Sequence, residues 1–219
     1  MGRDALIIFF KPPVPGIAKT RLARDMGSIG AARMYGAMVR DLANATIGAD
    51  YQVIPMCSSH DTTFEVPWAQ WLIQDKGDIG QRMNAAFISQ FSAGYNNVLL
   101  VGTDIPGLDA GIIQSCFTGI YARGMALGPA ADGGYYAIGF SDSVFHPDYF
   151  SGIEWSTAEV FAATMNLAKA YNVAPFVGPR LRDIDTIKDL EQVLEELPTG
   201  RAPHLKAELQ NLYGKETPR

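Results

Sequence analysis

The chain has 219 residues, 47% of them hydrophobic and 19% charged, with a formal net charge of −5. Such a composition suits a folded domain with one substantial core, and its acidic balance argues against bulk binding to nucleic acid or to an acidic membrane surface. No apolar stretch is as long as a membrane span or a signal-peptide core, and Cys57 and Cys116 stand apart without metal-ligand spacing, so the expectation is a reduced, cytoplasmic protein.

The first element is the apolar run Ala5–Phe10, a buried strand. It leads into Lys11-Pro12-Pro13-Val14-Pro15-Gly16-Ile17-Ala18-Lys19-Thr20-Arg21-Leu22-Ala23, whose prolines and glycine dictate a loop. Residues 1–24 carry five basic groups (Arg3, Lys11, Lys19, Arg21, Arg24) against one acid, Asp4, so positive charge is local in an acidic chain. A helix beginning just beyond this loop would add its free N–H groups and dipole, and the combination suits a di- or triphosphate. The alternative is a solvated cationic rim.

Ser28 can cap a helix to about Ile47, with Ala31, Met34, Met38, Leu42 and Ala45 forming a core-facing stripe. Tyr51–Cys57 reads as a second strand, residues 58–69 as a polar connection, and Trp71–Ile73 as a short third strand. Gly80–Phe91 has helical spacing. Val98–Val101 is apolar without alternation, as in a parallel sheet covered on both faces. Asp109 can cap a helix to about Arg123. Met125–Leu127 and Tyr135–Phe140 read as strands, with Gly133-Gly134 as a turn or bulge between them. Ser156 or Thr157 is expected to start a helix to about Tyr171, and Asp185 or Thr186 one to about Leu197. Residues 199–219 read as a C-terminal extension with a short helix and a charged end. Alternating strands and helices predict one α/β domain over residues 1–219, with its site at the carboxyl ends of the strands.

Five segments carry candidate chemistry. The cationic loop is neither a P-loop, because Ile17-Ala18 stand where a glycine must precede the lysine, nor a dinucleotide fingerprint, because it has a single glycine. Asp104, after the strand ending at Val101, sits where a carboxylate could hold Mg²⁺ together with substrate phosphates; the alternative is a turn aspartate ahead of Pro106. Asp132-Gly133-Gly134 lets the backbone approach a ligand, or is a hairpin turn. Asp183 and Asp185 would share one side of a short strand, so either could supply a second carboxylate, whereas Asp185 and Thr186 are also natural helix caps. Gln74–Asn84, with Asp78, Gly80 and Arg82, could read a base or ribose, or simply connect two elements. His60, His146 and His204 are scattered and form no recognisable nucleophile–histidine arrangement.

Six motifs occur in order: the Lys11–Ala23 loop, Gly77-Asp78-Ile79-Gly80-Gln81-Arg82-Met83, Gly102-Thr103-Asp104-Ile105-Pro106-Gly107-Leu108, Gly128-Pro129-Ala130-Ala131-Asp132-Gly133-Gly134-Tyr135-Tyr136, Trp155-Ser156-Thr157 and Asp183-Ile184-Asp185-Thr186. Together they resemble a bacterial family long known as a domain of unknown function. Its members are often described as arsenosugar-biosynthesis-type glycosyltransferases, within the nucleotide-diphospho-sugar transferase superfamily. The Lys19–Ala23 segment is also similar to the phospholactate guanylyltransferases. The resemblance spans residues 5–197. It implies a GT-A-like sandwich: a mixed, mostly parallel central sheet with helices on both faces.

The resemblance also implies roles. Lys11, Gly16, Lys19, Thr20, Arg21, Asp78, Gly80 and Arg82 would bind the nucleotide. Asp104 and Asp185 would hold Mg²⁺ or Mn²⁺. Asp132 would face donor or acceptor, acting with Asp104 and Lys19 in catalysis, and Gly133, Gly134, Tyr135, Trp155, Ser156 and Thr157 would form the donor and acceptor pocket. Because Tyr135 and Tyr136 alternate along a strand, one is expected to face the site and the other the core. The partners implied are a nucleotide or nucleotide-sugar and a small acceptor. The reaction implied is metal-assisted sugar transfer. The alternative is nucleotidyl transfer from a triphosphate to a phosphorylated acceptor, although the chain lacks the glycine-rich opening of the sugar-phosphate nucleotidyltransferases.

Overall fold

A computed structural model describes residues 3–59 and 64–214; His60 and the charged end at 215–219 lie outside the described residues. The strands are β1 (Asp4–Phe10), β2 (Gln52–Cys57), β3 (Leu72–Ile73), β4 (Asn97–Gly102), β5 (Met125–Pro129), β6 (Tyr135–Ser141) and β7 (Phe176–Val177). They form one sheet in the order β3-β2-β1-β4-β6-β5-β7. β1 is parallel to β2 and to β4, and β7 is parallel to β5, while β6 runs antiparallel to both its neighbours. The sheet is therefore mixed and mostly parallel, as expected.

The six helices are α1 (Ala23–Ala45), α2 (Ile79–Ser92), α3 (Ala110–Arg123), α4 (Val160–Ala170), α5 (Ile187–Glu196) and α6 (Pro203–Tyr213). Strand side chains alternate between faces, which divides the core in two. Ala5, Ile7, Phe9, Val98, Leu100, Ile138 and Phe140 pack with Met83 and Phe87 of α2 and Ala168 of α4. Leu6, Ile8, Leu99, Val101 and Ala137 pack with Leu42 of α1 and Ile113, Cys116 and Phe117 of α3. Phe87 is fully buried among the rings of Phe91, Phe140, Phe145 and Phe150; burying one such side chain is worth about 1.5–3 kcal/mol. A third cluster joins α1 to α5 and α6 through Met34, Met38, Leu190, Val193 and Leu205.

Two boundaries depart from the sequence expectation. α1 begins at Ala23 rather than after Ser28, because Gly27 (φ 77°, ψ 158°) kinks the helix and a first turn precedes the kink. α4 begins at Val160, not at Ser156 or Thr157. Ser156 has φ 64°, and the Thr157 hydroxyl donates back to the Glu154 carbonyl, so these two residues form a turn ahead of the helix. A 3₁₀ turn at Pro147–Phe150 and the two-residue β7 carry too little periodicity to be read in advance. Two capping expectations hold: Asp109 accepts from the Ile112 N–H, and Thr186 forms a capping box with Asp189.

Candidate active site

β1 has β2 on one side and β4 on the other, so the loops leaving β1 and β4 at their carboxyl ends diverge and open a crevice. β6 runs the opposite way and therefore starts at the edge where β4 ends; Ala137 pairs with Val101. This register brings Lys11, Thr103, Asp104, Asp132 and Tyr135 around one cavity of about 450 Å³. α2 and the segment before α4 close it with Arg82, Met83, Trp155, Ser156 and Thr157.

Of the residues named from sequence, Lys11, Arg82, Asp104, Asp132, Gly134, Tyr135, Trp155, Ser156 and Thr157 line this cavity. Lys19, Arg21 and Asp185 gather at its border around Asp104. The Lys19 ammonium lies 2.6 Å from Asp104 Oδ1 and 3.1 Å from Asp185 Oδ1, and the Arg21 guanidinium lies 3.4 Å from Asp185 Oδ2. Burial alone would lower the Lys19 pKa, but the charges and hydrogen bonds of the two aspartates outweigh it and raise the pKa above the usual lysine value. Asp183 is pushed above the usual carboxylate range, first by burial and then by the charge of Asp132.

Asp78, Gly80, Gly133, Gly16 and Thr20 lie outside the cavity wall. Asp78 caps α2, accepting from the Gln81 N–H, while its carbonyl receives the Arg82 Nε–H at 3.3 Å. Gly80 leaves room for the Trp155 indole, which a Cβ at this position would strike. Gly133, at φ 91°, sits against the Ala158 backbone, where no side chain fits. Gly16 and Thr20 lie exposed on the cationic loop. Asp132, which does line the cavity, accepts the Gly134 N–H through Oδ1 at 2.8 Å, a turn contact.

Tyr135 and Tyr136 alternate as expected, although both border the cavity. Their rings do pack on opposite faces of the sheet. The Tyr136 hydroxyl is occupied, donating to the Pro179 carbonyl, and the Tyr135 hydroxyl is engaged by the Thr164 side chain and lies 4.0 Å from Met83 Sδ. Burial raises the pKa of both phenols, so each keeps its proton.

Sequence reasoning missed two organisers. Gln74 donates to the Met56 and Phe10 carbonyls at the ends of β2 and β1 and accepts from Arg82 at 3.1 Å, which fixes that guanidinium at the wall. The buried Tyr35 hydroxyl accepts from the Lys11 N–H at 2.9 Å and pairs with Thr103 Oγ1 at 2.6 Å, joining the loops after β1 and β4. Tyr35 stands beside the apolar stripe of α1 and carries no motif of its own. Gln74 stood in a marked segment, but nothing in its spacing set it apart.

Among the described residues, no group of three or more His, Cys, Asp or Glu side chains is arranged to hold a metal ion. Mg²⁺ commonly takes only one or two carboxylates and completes its shell with substrate phosphates and water. Asp104 and Asp185, both held by Lys19 and about half exposed, fit that mode.

No curated protein matches the chain. The crystal structure of a candidate nucleotide-diphospho-sugar transferase from Desulfovibrio desulfuricans G20 is 30% identical, with 97% of each chain covered and a TM-score of 0.88. Rv0371C of Mycobacterium tuberculosis H37Rv, solved in complex with manganese, is 15% identical with a TM-score of 0.53, over 90% of this chain and all of that one. CMP:2-keto-3-deoxy-manno-octonic acid synthetase, solved with CTP, is 10% identical with a TM-score of 0.51, over 89% of this chain and all of that one. These last two show the shared fold. Residues 42–157 match the bacterial family described as "Uncharacterized protein conserved in bacteria (DUF2064)". With that match and the 30% identity along almost its whole length, the chain belongs to the DUF2064 family and has the nucleotide-diphospho-sugar transferase fold.

Proposed function

We propose that this transferase moves a sugar from a nucleotide-diphospho-sugar to a hydroxyl of a small acceptor, releasing a nucleoside diphosphate. The observation that carries the reading is the cavity at the ends of β1 and β4, lined by the cations Lys11 and Arg82 and the carboxylates Asp104 and Asp132. The description of the Desulfovibrio protein as a candidate nucleotide-diphospho-sugar transferase supports it, as does the manganese bound by the Mycobacterium protein.

Lys11 and Arg82 are placed to take phosphate oxygens, with Arg82 held in direction by Gln74 and the Asp78 carbonyl. Charge-assisted contacts of this kind are about twice as strong as neutral ones. A divalent cation on Asp104 and Asp185 would neutralise charge that builds on the departing diphosphate. Trp155 and Tyr135 supply apolar faces on which a sugar or base can lie. Asp132 is the group we assign to the acceptor. Its carboxylate takes the hydroxyl proton as the oxygen bonds to the anomeric carbon and the bond from that carbon to the diphosphate breaks.

The test incubates the protein and Mg²⁺ with a panel of nucleotide-sugars and nucleoside triphosphates and measures the released product. Slow formation of nucleoside diphosphate from one nucleotide-sugar is expected. Release of pyrophosphate from a triphosphate with a phosphorylated acceptor would instead make the protein a nucleotidyltransferase.

A further inference from the structure

We infer that Lys19 is a positioning residue that clamps Asp104 and Asp185 into a single metal-binding pair, and that it is not itself a phosphate ligand. The inference rests on the metal-assisted reading above. Sequence pattern puts Lys19 among the phosphate-binding cations, but its surroundings point elsewhere. Its side chain is 4% exposed, against 49% for Asp104 and 41% for Asp185. It lies beneath the two carboxylates and is absent from the cavity wall that Lys11 and Arg82 share. One nitrogen bonds the Oδ1 atom of each aspartate.

Those aspartates come from distant parts of the chain. Asp104 follows β4, and Asp185 precedes α5. Without a cation between them, their charges would repel and the segments could move apart. With its inner oxygen held by the ammonium, half-exposed Asp104 can offer its outer oxygen to solvent, while the outer oxygen of Asp185 is shared with the exposed Arg21 guanidinium. The backbone also serves this placement. Lys19 has φ 53°, in the left-handed region that lysine seldom occupies, and its neighbours Ala18 and Leu22 are buried in the cluster beneath α1. If Lys19 left to reach a phosphate, it would abandon both aspartates and a buried position together. Arg21, 64% exposed and bonded to the other oxygen of Asp185, keeps the reach that Lys19 lacks.

The experiment compares wild type with Lys19→Met and Lys19→Arg. Mn²⁺ uptake is titrated by electron paramagnetic resonance with a nucleoside diphosphate present, and binding of the same diphosphate in EDTA is measured by calorimetry. Removing a group that orients metal ligands commonly lowers metal affinity about 10–100-fold. Lys19→Met should show a loss of that order in Mn²⁺ affinity, metal-free diphosphate binding should stay within about twofold, and Lys19→Arg should recover part of the metal affinity. A tenfold loss of diphosphate binding in EDTA would make Lys19 a phosphate ligand and overturn the inference. Mn²⁺ affinity unchanged in Lys19→Met would overturn it too. Wild-type protein that takes up no Mn²⁺ would defeat the metal-assisted reading itself. If circular dichroism shows Lys19→Met unfolded, Lys19→Gln, which keeps a donor and loses the charge, is judged by the same pair of measurements.

Discussion

Asp104 belongs to two interactions at once, the ion pair with Lys19 below and the cavity above. Asp104→Asn separates them, because the amide oxygen can still accept from Lys19 while the carboxylate charge is gone. The protein should melt cooperatively, and its Mg²⁺-dependent binding of a nucleoside diphosphate should fall about tenfold or more, at least ~1.4 kcal/mol; calorimetry with and without Mg²⁺ checks this. Gly80 makes a different prediction. A methyl group there meets the Trp155 indole, so Gly80→Ala should turn that ring away from the wall, with little effect on α2. The expected outcome is a changed Trp155 fluorescence in a variant that keeps Trp155 alone among the three tryptophans, with weaker nucleotide-sugar binding. Both residues were visible in the sequence because motifs surrounded them. What Gly80 does was not visible, since its partner lies 75 positions away and reaches it only through the fold.

At the scale of elements, Tyr35 couples α1 to the loops that follow β1 and β4. Tyr35→Phe keeps the ring and removes the oxygen, leaving the Lys11 N–H without its acceptor. Because Lys11 is exposed, water can replace part of the bond, and the cost should be about 1 kcal/mol. In a chain of this size that lowers the melting midpoint by about 2–4 °C, measurable by calorimetry. A larger effect on nucleotide binding than on melting would show that the bond chiefly orients the loop. Most elements were legible because their signals are local. β1 and β4 are unbroken apolar runs, and Asp109 and Thr186 stand at the starts of α3 and α5. α4 misled the reading because Ser156 and Thr157 have capping chemistry but occupy a turn. β7 was illegible because two residues gain their identity only from pairing with β5.

Across the whole molecule, the sequence conveyed the layers better than the strand order. Alternation of strands and helices implied a parallel sheet, and the Gly133-Gly134 signal implied a reversal. That β6 slots between β4 and β5 depends on contacts made at a distance, which no periodicity expresses. Global stability should respond to alkali. Burial pushes the Cys116 thiol from 9.0 up to about 11 and the Tyr51 phenol from 10.0 up to about 12. A group whose pKa is raised in the folded state favours folding below its unfolded value and loses that contribution as pH rises through the folded one. Stability should therefore hold near neutrality and decline between about pH 9 and 12, as denaturant midpoints across that range would show. Cys57 and Cys116 are both buried, so a thiol reagent should label them in step with unfolding.

The bond from Lys19 to Asp185 joins positions 166 residues apart. A ribosome making ~5–20 residues per second therefore exposes the cationic loop for about 8–30 seconds before the second carboxylate is even translated. In that interval β1, β2 and β4 can pair, but the buried place for the ammonium does not yet exist, and Lys19 stays in water. The nascent chain can thus own most of its sheet while owning no finished cation pair. Completion of the site becomes an event of the last stage of synthesis, and a transcript cut short before codon 185 yields a product that has core strands yet lacks the clamp.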